Sequence, residues 1–173
     1  MQTELALPAY LPPPKRRAPT PPREFKVLTL RECPSPDVPI MDNSEKAIAY
    51  CRSAIEGSPL FNKDVESVVV ICLNTRKRVI GHTFVSTGTL DSVVIHHRDI
   101  FKPAFAMNAA GILLVHNHPS GDPSPSEGDI KVTRDTIRAG QLLKIEVVDH
   151  IILGAPGYGK GYTSLKEQGH FYM

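Results

Sequence analysis

The apolar positions of this chain fall either in short continuous runs or in helical repeats, which predicts strands and helices in succession. The clearest change of pattern lies between residues 111 and 143. Residues 111–115 form a continuous apolar run that predicts a buried strand, and residues 130–143 repeat apolar side chains at helical spacing. Glycines and prolines between these segments exclude regular structure there. We therefore expect a strand, a rigid loop over residues 116–129 and a helix.

The remaining segments follow the same two patterns. Asp42 and Glu45 suit the N-cap and third position of a helix that ends near Gly57. Residues 98–110 form a second helical repeat, in which Pro103 is tolerable only near the first turn. The other apolar runs predict strands at residues 25–30, 65–73, 78–86, 92–96 and 145–153, with turns at 74–77 and 157–161. In the last of these strands we expect Glu146 and Asp149 toward the edges or ends. This succession predicts a mixed α/β domain in which helices flank a central sheet.

Length and composition describe one domain with a tail. The chain has 173 residues and a formal net charge of +2, so charge alone makes no strong claim about nucleic acid. We expect residues 1–24, which are rich in proline, to be a disordered, polyproline-like tail and residues 25–173 to be the domain. A small basic cluster at residues 15–17 could contact nucleic acid or an acidic partner, but such clusters are more often simply solvated.

Nothing in the sequence indicates a membrane or a secretory route. No apolar run is long enough to cross a bilayer, and the N-terminus lacks the pattern of a secretory signal. Cys33, Cys51 and Cys72 are too widely spaced for a disulfide framework or a metal knuckle. A cytoplasmic location is therefore expected, with no membrane partner.

Two histidines and an aspartate in the loop predict a metal site. Residues two apart in an extended chain face the same side, so His116 and His118 point to one place while Asn117 points away. Asp129 can add a carboxylate from the first turn of the next helix. Two histidines, one carboxylate and an open fourth position are the pattern of a catalytic Zn²⁺ site. The alternative is that Ser126 and Asp129 only form a helix capping box and the histidines bond to backbone or water.

Bound zinc lowers the pKa of its water to about 7, and a nearby general base would assist by moving the proton. Glu66 is the best candidate because it directly precedes the apolar run of a predicted strand. The alternative is an exposed glutamate at a strand end with no catalytic role. Glu127 is the other nearby acid, and we expect it to point to solvent beside the capping serine.

The spacing His116-x-His118, seven residues, Ser126, two residues, Asp129 resembles the JAMM motif of JAB/MPN metalloproteases. The amino-acid sequence of residues 116–126 resembles that of the RadC branch, whose members are often labelled DNA repair proteins. The resemblance runs from about residue 25 to residue 169. It implies the JAB/MPN fold, which is related to the cytidine deaminase fold. In this family a glutamate precedes the first core strand, as Glu66 does, and the serine hydroxyl hydrogen-bonds the tetrahedral oxyanion.

Two departures from the RadC pattern are visible. His97 stands where similar chains commonly have proline, so the start of the following helix is expected to differ. The proline-rich residues 1–24 stand where RadC proteins usually carry a helical DNA-binding region. A DNA role that depends on such a region is therefore not implied for this chain.

Three functions compete. The first is a zinc metallopeptidase that cleaves an amide or isopeptide bond of a peptide or protein substrate. The second is a non-catalytic accessory protein associated with DNA repair, in which the metal only stabilises the fold. The third, a zinc nucleobase deaminase, requires His-x-Glu and Pro-Cys-x-x-Cys, and this sequence contains neither pattern. The residues favour the first.

Overall fold

The computed structural model of the protein describes residues 39–87 and 95–172. In this part of the chain five strands form one mixed sheet in the order β2-β1-β3-β4-β5, and only the β3–β4 pair is parallel. The elements are α1 (Ser44–Tyr50), a π-helical segment (Cys51–Ile55), β1 (Ser67–Leu73), β2 (Val79–Thr87), α2 (His97–Ala106), β3 (Gly111–Asn117), α3 (Glu127–Leu143), β4 (Glu146–Leu153) and β5 (Tyr162–Ser164). The predicted mixed α/β fold is confirmed.

Helices cover both faces of the sheet, which explains why its central strands are apolar at every position. Every residue of β1 and β3 is buried. On one face Val69 and Ile71 pack with side chains of α1 and the π-helical segment. On the other face Val68 and Val70 pack with side chains of α2 and α3. Continuous apolar runs are therefore the expected pattern for these strands, because no side of them faces water.

The crossover from β3 through α3 to β4 joins the two parallel strands and brings the loop residues together. The start of α3 lies at the same end of the sheet as the end of β3, since Asp129 in the first turn of α3 contacts His116 near the end of β3. At the far end of α3, Gly140 lets the helix approach β4 closely. A Cβ there would lie 2.6 Å from the carbonyl oxygen of Ile145 and 3.0 Å from Val147 Cγ2. The helix that carries Asp129 is thus held firmly against the sheet.

Several predicted boundaries need correction. The N-cap of α1 is Asn43, whose side chain accepts from the Lys46 amide, whereas Asp42 forms an ion pair with the Lys46 side chain. Pro103 lies at the seventh position of the ten-residue α2 and not in its first turn. The one hydrogen bond that proline removes is offset by the burial of Ile100 and other apolar side chains of the helix.

Two further differences concern β4 and the short strand after it. Asp149 is 5% exposed in the middle of β4 and not at an edge, and it accepts hydrogen bonds from the Ser164 hydroxyl and from the amides of His150 and Lys166. These bonds fasten β5, which the sequence pattern does not predict. Burial raises the pKa of Asp149, although the three donors act against that shift.

Some predictions fall wholly or partly outside the described residues. These are the tail at residues 1–24, the strand at 25–30 and residues 92–94 of the strand at 92–96. Ile95 and His96, the last residues of that predicted strand, have no regular secondary structure. Among the residues that the structure describes, no helix combines the length and the apolar character needed to cross a membrane.

Candidate metal centre

The end of β3 places two histidines on the same face of the sheet. His116 is on the face that packs with α2 and α3, and it continues the row of Ile112 and Leu114. His118 follows the last residue of β3, and its backbone amide still donates to the carbonyl of Leu153 in β4. The extended backbone therefore continues through His118, and both imidazoles point into one cavity, as predicted from their spacing of two.

Asp129 completes a triangle of donor atoms. The two Nε2 atoms of His116 and His118 are 3.0 Å apart. Asp129 Oδ1 lies 3.2 Å from His116 Nε2, and Asp129 Oδ2 lies 3.5 Å from His118 Nε2. A tetrahedral ion with metal–ligand bonds of about 2.0–2.1 Å would hold its donors about 3.3 Å apart. The two carboxylate oxygens thus each lie near one histidine at about this spacing. With one ligand atom taken from each residue, the three atoms lie within 4.8 Å of one another, so these three side chains could hold a metal ion.

The hydrogen bonds of the outer ring nitrogens orient both histidines for binding. His118 Nδ1 is 2.8 Å from the carbonyl oxygen of Asp122, and because a carbonyl only accepts, Nδ1 carries the hydrogen. His116 Nδ1 is 2.8 Å from His150 Nε2. When His116 also donates through Nδ1, both Nε2 atoms present bare lone pairs to each other. Two such lone pairs at 3.0 Å repel unless a cation lies between them. The donor set therefore fits a metal.

The capping box and the candidate metal site share Asp129 and do not exclude each other. Oδ2 of Asp129 accepts from the backbone amide of Ser126 at 2.8 Å and from its hydroxyl at 2.6 Å. Ser126 Oγ in turn accepts from the Asp129 amide at 3.1 Å. This is the predicted capping box, and it starts α3 at Glu127, three residues before the predicted start. Oδ1 remains directed toward His116 and is the natural metal-binding oxygen.

Electrostatics at the triangle favour a carboxylate and a cation. Burial by itself opposes the charged form of Asp129, but when the metal-free histidines are protonated, hydrogen bonds from His116 and His118, together with that from Ser126, hold its pKa well below its usual range. The hydrogen bond to Asp129 in turn raises the pKa of His118, against the effect of burial. The site thus stabilises negative charge on the aspartate and positive charge beside it.

The triangle forms part of the wall of a cavity of about 330 Å³. Glu66, in the residue position just before β1, lines this cavity together with Ser126. Glu127 is exposed and does not line it. The structure therefore brings together all five residues singled out in the sequence, which are Glu66, His116, His118, Ser126 and Asp129.

Three buried polar residues around the triangle are not evident from the sequence. Asn117 points to the opposite face, as expected, but its side chain accepts from the Ser67 amide and donates to the Val65 carbonyl, and so ties the end of β3 to the start of β1. His150 and Thr133 stand behind His116 and are 2% and 0% exposed. Burial lowers the pKa of His150 well below its usual value, which disfavours its charged form.

A mixed sheet covered by helices, with a His-His-Asp triangle at the end of β3, defines a JAB-type domain. A family profile described as RadC-like JAB domain matches residues 41–170, and the chain belongs to this family. It is 40% identical over 129 residues to a UPF0758 protein of Thermotoga maritima, covering 75% of this chain and 54% of that protein. It is 46% identical over 132 residues to a UPF0758 protein of Desulforamulus reducens, covering 75% of this chain and 56% of that protein.

A third relative gives the same result. The chain is 43% identical over 124 residues to the UPF0758 protein YsxA of Bacillus subtilis, covering 69% of this chain and 52% of that protein. The chain thus spans about half the length of the curated relatives it matches.

Proposed function

We propose that this protein is a zinc-dependent, metallopeptidase-like hydrolase of amide or isopeptide bonds. The observation that supports this most is the convergence of two Nε2 atoms and one carboxylate on a cavity that also contains Glu66. Within residues 39–87 and 95–172, the group of possible metal ligands contains three side chains and no fourth. A site with three protein ligands leaves a coordination position for water or substrate, as catalytic sites do.

Each residue of the cavity has a definite task in such a reaction. When bound, zinc would lower the pKa of its water and polarise the substrate carbonyl. Glu66 would take the proton from the attacking water at its carboxylate and deliver it to the leaving amine. Val68 and Leu114, in the cavity wall, would exclude bulk water from the reacting groups. Ser126 would stabilise the oxyanion after its hydroxyl turns from Asp129 toward the substrate.

A comparison of two glutamate variants tests the catalytic part of this proposal. Glu66→Gln keeps the shape of the side chain but removes the base, so it should retain zinc and lose turnover of peptide and isopeptide substrates by about 100-fold or more. Glu127→Gln is the matched control, because Glu127 is exposed and outside the cavity, and it should leave turnover unchanged. Turnover by Glu66→Gln at the wild-type rate would contradict the assignment.

A second candidate function, a DNA-associated accessory protein with a structural metal, is favoured by one basic helical surface. Lys131, Arg134 and Arg138 are exposed along one side of α3, and Arg98 is exposed on the neighbouring α2. Asp135 pairs with two of them and reduces the local positive charge. Such a surface could contact phosphates without reading bases.

A gel-shift series tests this second candidate. Duplex DNA binding should be strongest at low salt and should weaken when Lys131, Arg134 and Arg138 are replaced together by glutamine. Lys46→Gln is the control, because Lys46 lies on α1 at the opposite face of the sheet. Absence of binding at low salt would exclude the DNA-associated function for these residues.

A further inference from the structure

A chain of hydrogen bonds runs from His116 back to the helix that carries Asp129. His116 Nδ1 is 2.8 Å from His150 Nε2, and His150 Nδ1 is 2.6 Å from the hydroxyl oxygen of Thr133. The Thr133 hydroxyl also lies 2.6 Å from the backbone carbonyl oxygen of Asp129. The chain therefore links one possible ligand on β3 to the residue that supplies another on α3, entirely through buried groups.

The hydrogens of this chain have only two consistent directions when both imidazoles are neutral. In the first, Thr133 donates to the Asp129 carbonyl and accepts from His150 Nδ1, so His150 Nε2 accepts from His116 Nδ1. His116 Nε2 is then bare and faces the other possible ligands. In the second, Thr133 donates to His150 Nδ1. The hydrogen of His150 is then on Nε2 and donates to His116 Nδ1, and the hydrogen of His116 is on Nε2. His116 Nε2 then carries a hydrogen that blocks a metal.

The Asp129 carbonyl selects the first direction. A carbonyl oxygen only accepts, so the short contact of 2.6 Å uses the single hydroxyl hydrogen of Thr133. The Thr133 oxygen then has only lone pairs to offer His150. The metal-competent direction is thus specified by the backbone of α3, and no metal ion is needed to establish it.

We propose that Thr133 and His150 are positioning residues that keep His116 in the tautomer with hydrogen on Nδ1, so that Nε2 is free for metal. This rests on the proposed metal site and adds the groups that prepare one of its ligands before metal arrives. Ligand histidines in metal sites typically donate their other ring nitrogen to a fixed partner, and losing that partner lowers metal affinity about 10–100-fold. Here the partner is a second histidine, whose own orientation is fixed by Thr133.

The same helix offers a matched control one turn away. Thr136 is 0% exposed, as Thr133 is, and its hydroxyl donates to the Val132 carbonyl at 2.7 Å. Both threonines therefore have the same burial and the same bond to the carbonyl four residues earlier, but only Thr133 has a contact to His150. Replacing either with valine keeps the shape and removes the hydroxyl together with its bond to the carbonyl, so the two variants differ in the loss of the histidine contact, which only Thr133→Val incurs.

Zinc affinity of the full chain, measured by competition with a chromophoric chelator, separates the two roles. Thr133→Val should bind zinc about 10–100-fold more weakly than wild type. Thr133→Ser, which restores the hydroxyl, should recover the affinity, and Thr136→Val should match wild type. Equal affinities for Thr133→Val and Thr136→Val would overturn the proposal, as would a serine variant that fails to recover.

A measurement on the unaltered chain keeps the proposal testable if Thr133→Val does not fold. A long-range ¹H–¹⁵N correlation spectrum of metal-free wild type, at a pH of about 8, reports which ring nitrogen of His116 is protonated. Hydrogen on Nδ1 is expected, and hydrogen on Nε2 would overturn the proposal. Zinc binding without turnover would contradict the peptidase function and leave this inference intact, whereas absence of zinc binding by wild type would remove both.

Discussion

Gly154→Ala should weaken metal binding without touching any of the possible ligands. Gly154 follows β4, and the turn after His118 packs directly on it. An alanine Cβ at this position would lie 2.6 Å from the carbonyl oxygen of Gly121 and 2.7 Å from Pro123 Cδ. That carbonyl accepts from the Ala155 amide at 2.8 Å, and the Gly121 amide donates to the His118 carbonyl at 2.9 Å. Displacing Gly121 therefore displaces the turn that holds His118.

The size of the effect follows from the contact distance. Relaxing the closest contact from 2.6 Å to an ordinary 3.4 Å requires a shift of 0.8 Å, the difference of the two values. Overpacking of this kind costs about 1–3 kcal/mol of folding free energy. Metal–ligand distances tolerate only about 0.2 Å, so a shift of this size at His118 should also lower zinc affinity, by about 10–100-fold.

Gly140→Ala is the control that separates loss of stability from loss of the site. Its Cβ would also lie 2.6 Å from a carbonyl oxygen, that of Ile145, but at the end of α3 remote from Asp129. Urea unfolding should show similar destabilisation of both variants, and chelator competition should show weaker zinc binding in Gly154→Ala alone. Equal zinc affinities in the two variants would show that the turn can move without moving His118, and would contradict this prediction.

Three other predictions follow from buried groups and from the site. Asn117→Ala leaves the Ser67 amide without its acceptor and should lower the free energy of unfolding by about 1–3 kcal/mol in urea titrations; no change would contradict the bonds seen here. Burial raises the pKa values of Cys51 and Cys72 to about 12, so alkylation mapped by mass spectrometry should modify both only after unfolding, and modification in the folded state would show them accessible. Chelation should lower the melting temperature and zinc should restore it, since a ligand at a thousand times its Kd raises the free energy of unfolding by about 4 kcal/mol. A melting temperature that does not change with zinc would contradict a metal site.

Most of the site can be predicted from the sequence because its residues lie at the end of one strand and the start of one helix. His116 and His118 share a face through their spacing of two in an extended segment, and the structure keeps that segment extended through His118. Ser126 and Asp129 are three apart, which is the spacing of a capping box, and the box is present. The relative positions of the two histidines, and of Ser126 and Asp129, therefore follow from short-range geometry, which can be predicted from a sequence.

The sequence does not reveal His150, because an irregularity in β4 breaks the alternation of its side chains. Ile112 pairs with Val147, but the next residue, Leu113, pairs with Asp149, so β4 contains one extra residue at this point. Counting in twos from Val147 would place Asp149, and not His150, beside α3. Only the tertiary pairing shows that His150 faces His116.

Other misplacements also depend on long-range packing. The burial of Asp149 becomes intelligible only once Ser164 and Lys166 supply its donors from the end of the chain. Pro103 inside α2 is tolerated because the helix has a buried face against the sheet. Neither condition is visible in a window of a few residues, and both therefore escape an argument from local propensity.

Metal content measured by elemental analysis shows whether His116, His118 and Asp129 together bind zinc. Wild type and Asp129→Ala would be purified without chelator after growth with added zinc, with circular dichroism confirming that the variant is folded despite the loss of its cap. We expect about one zinc per wild-type chain, little other metal, and loss of the zinc in the variant. Wild type without zinc, or Asp129→Ala with as much zinc as wild type, would contradict this expectation and leave Ser126 and Asp129 as a helix cap alone.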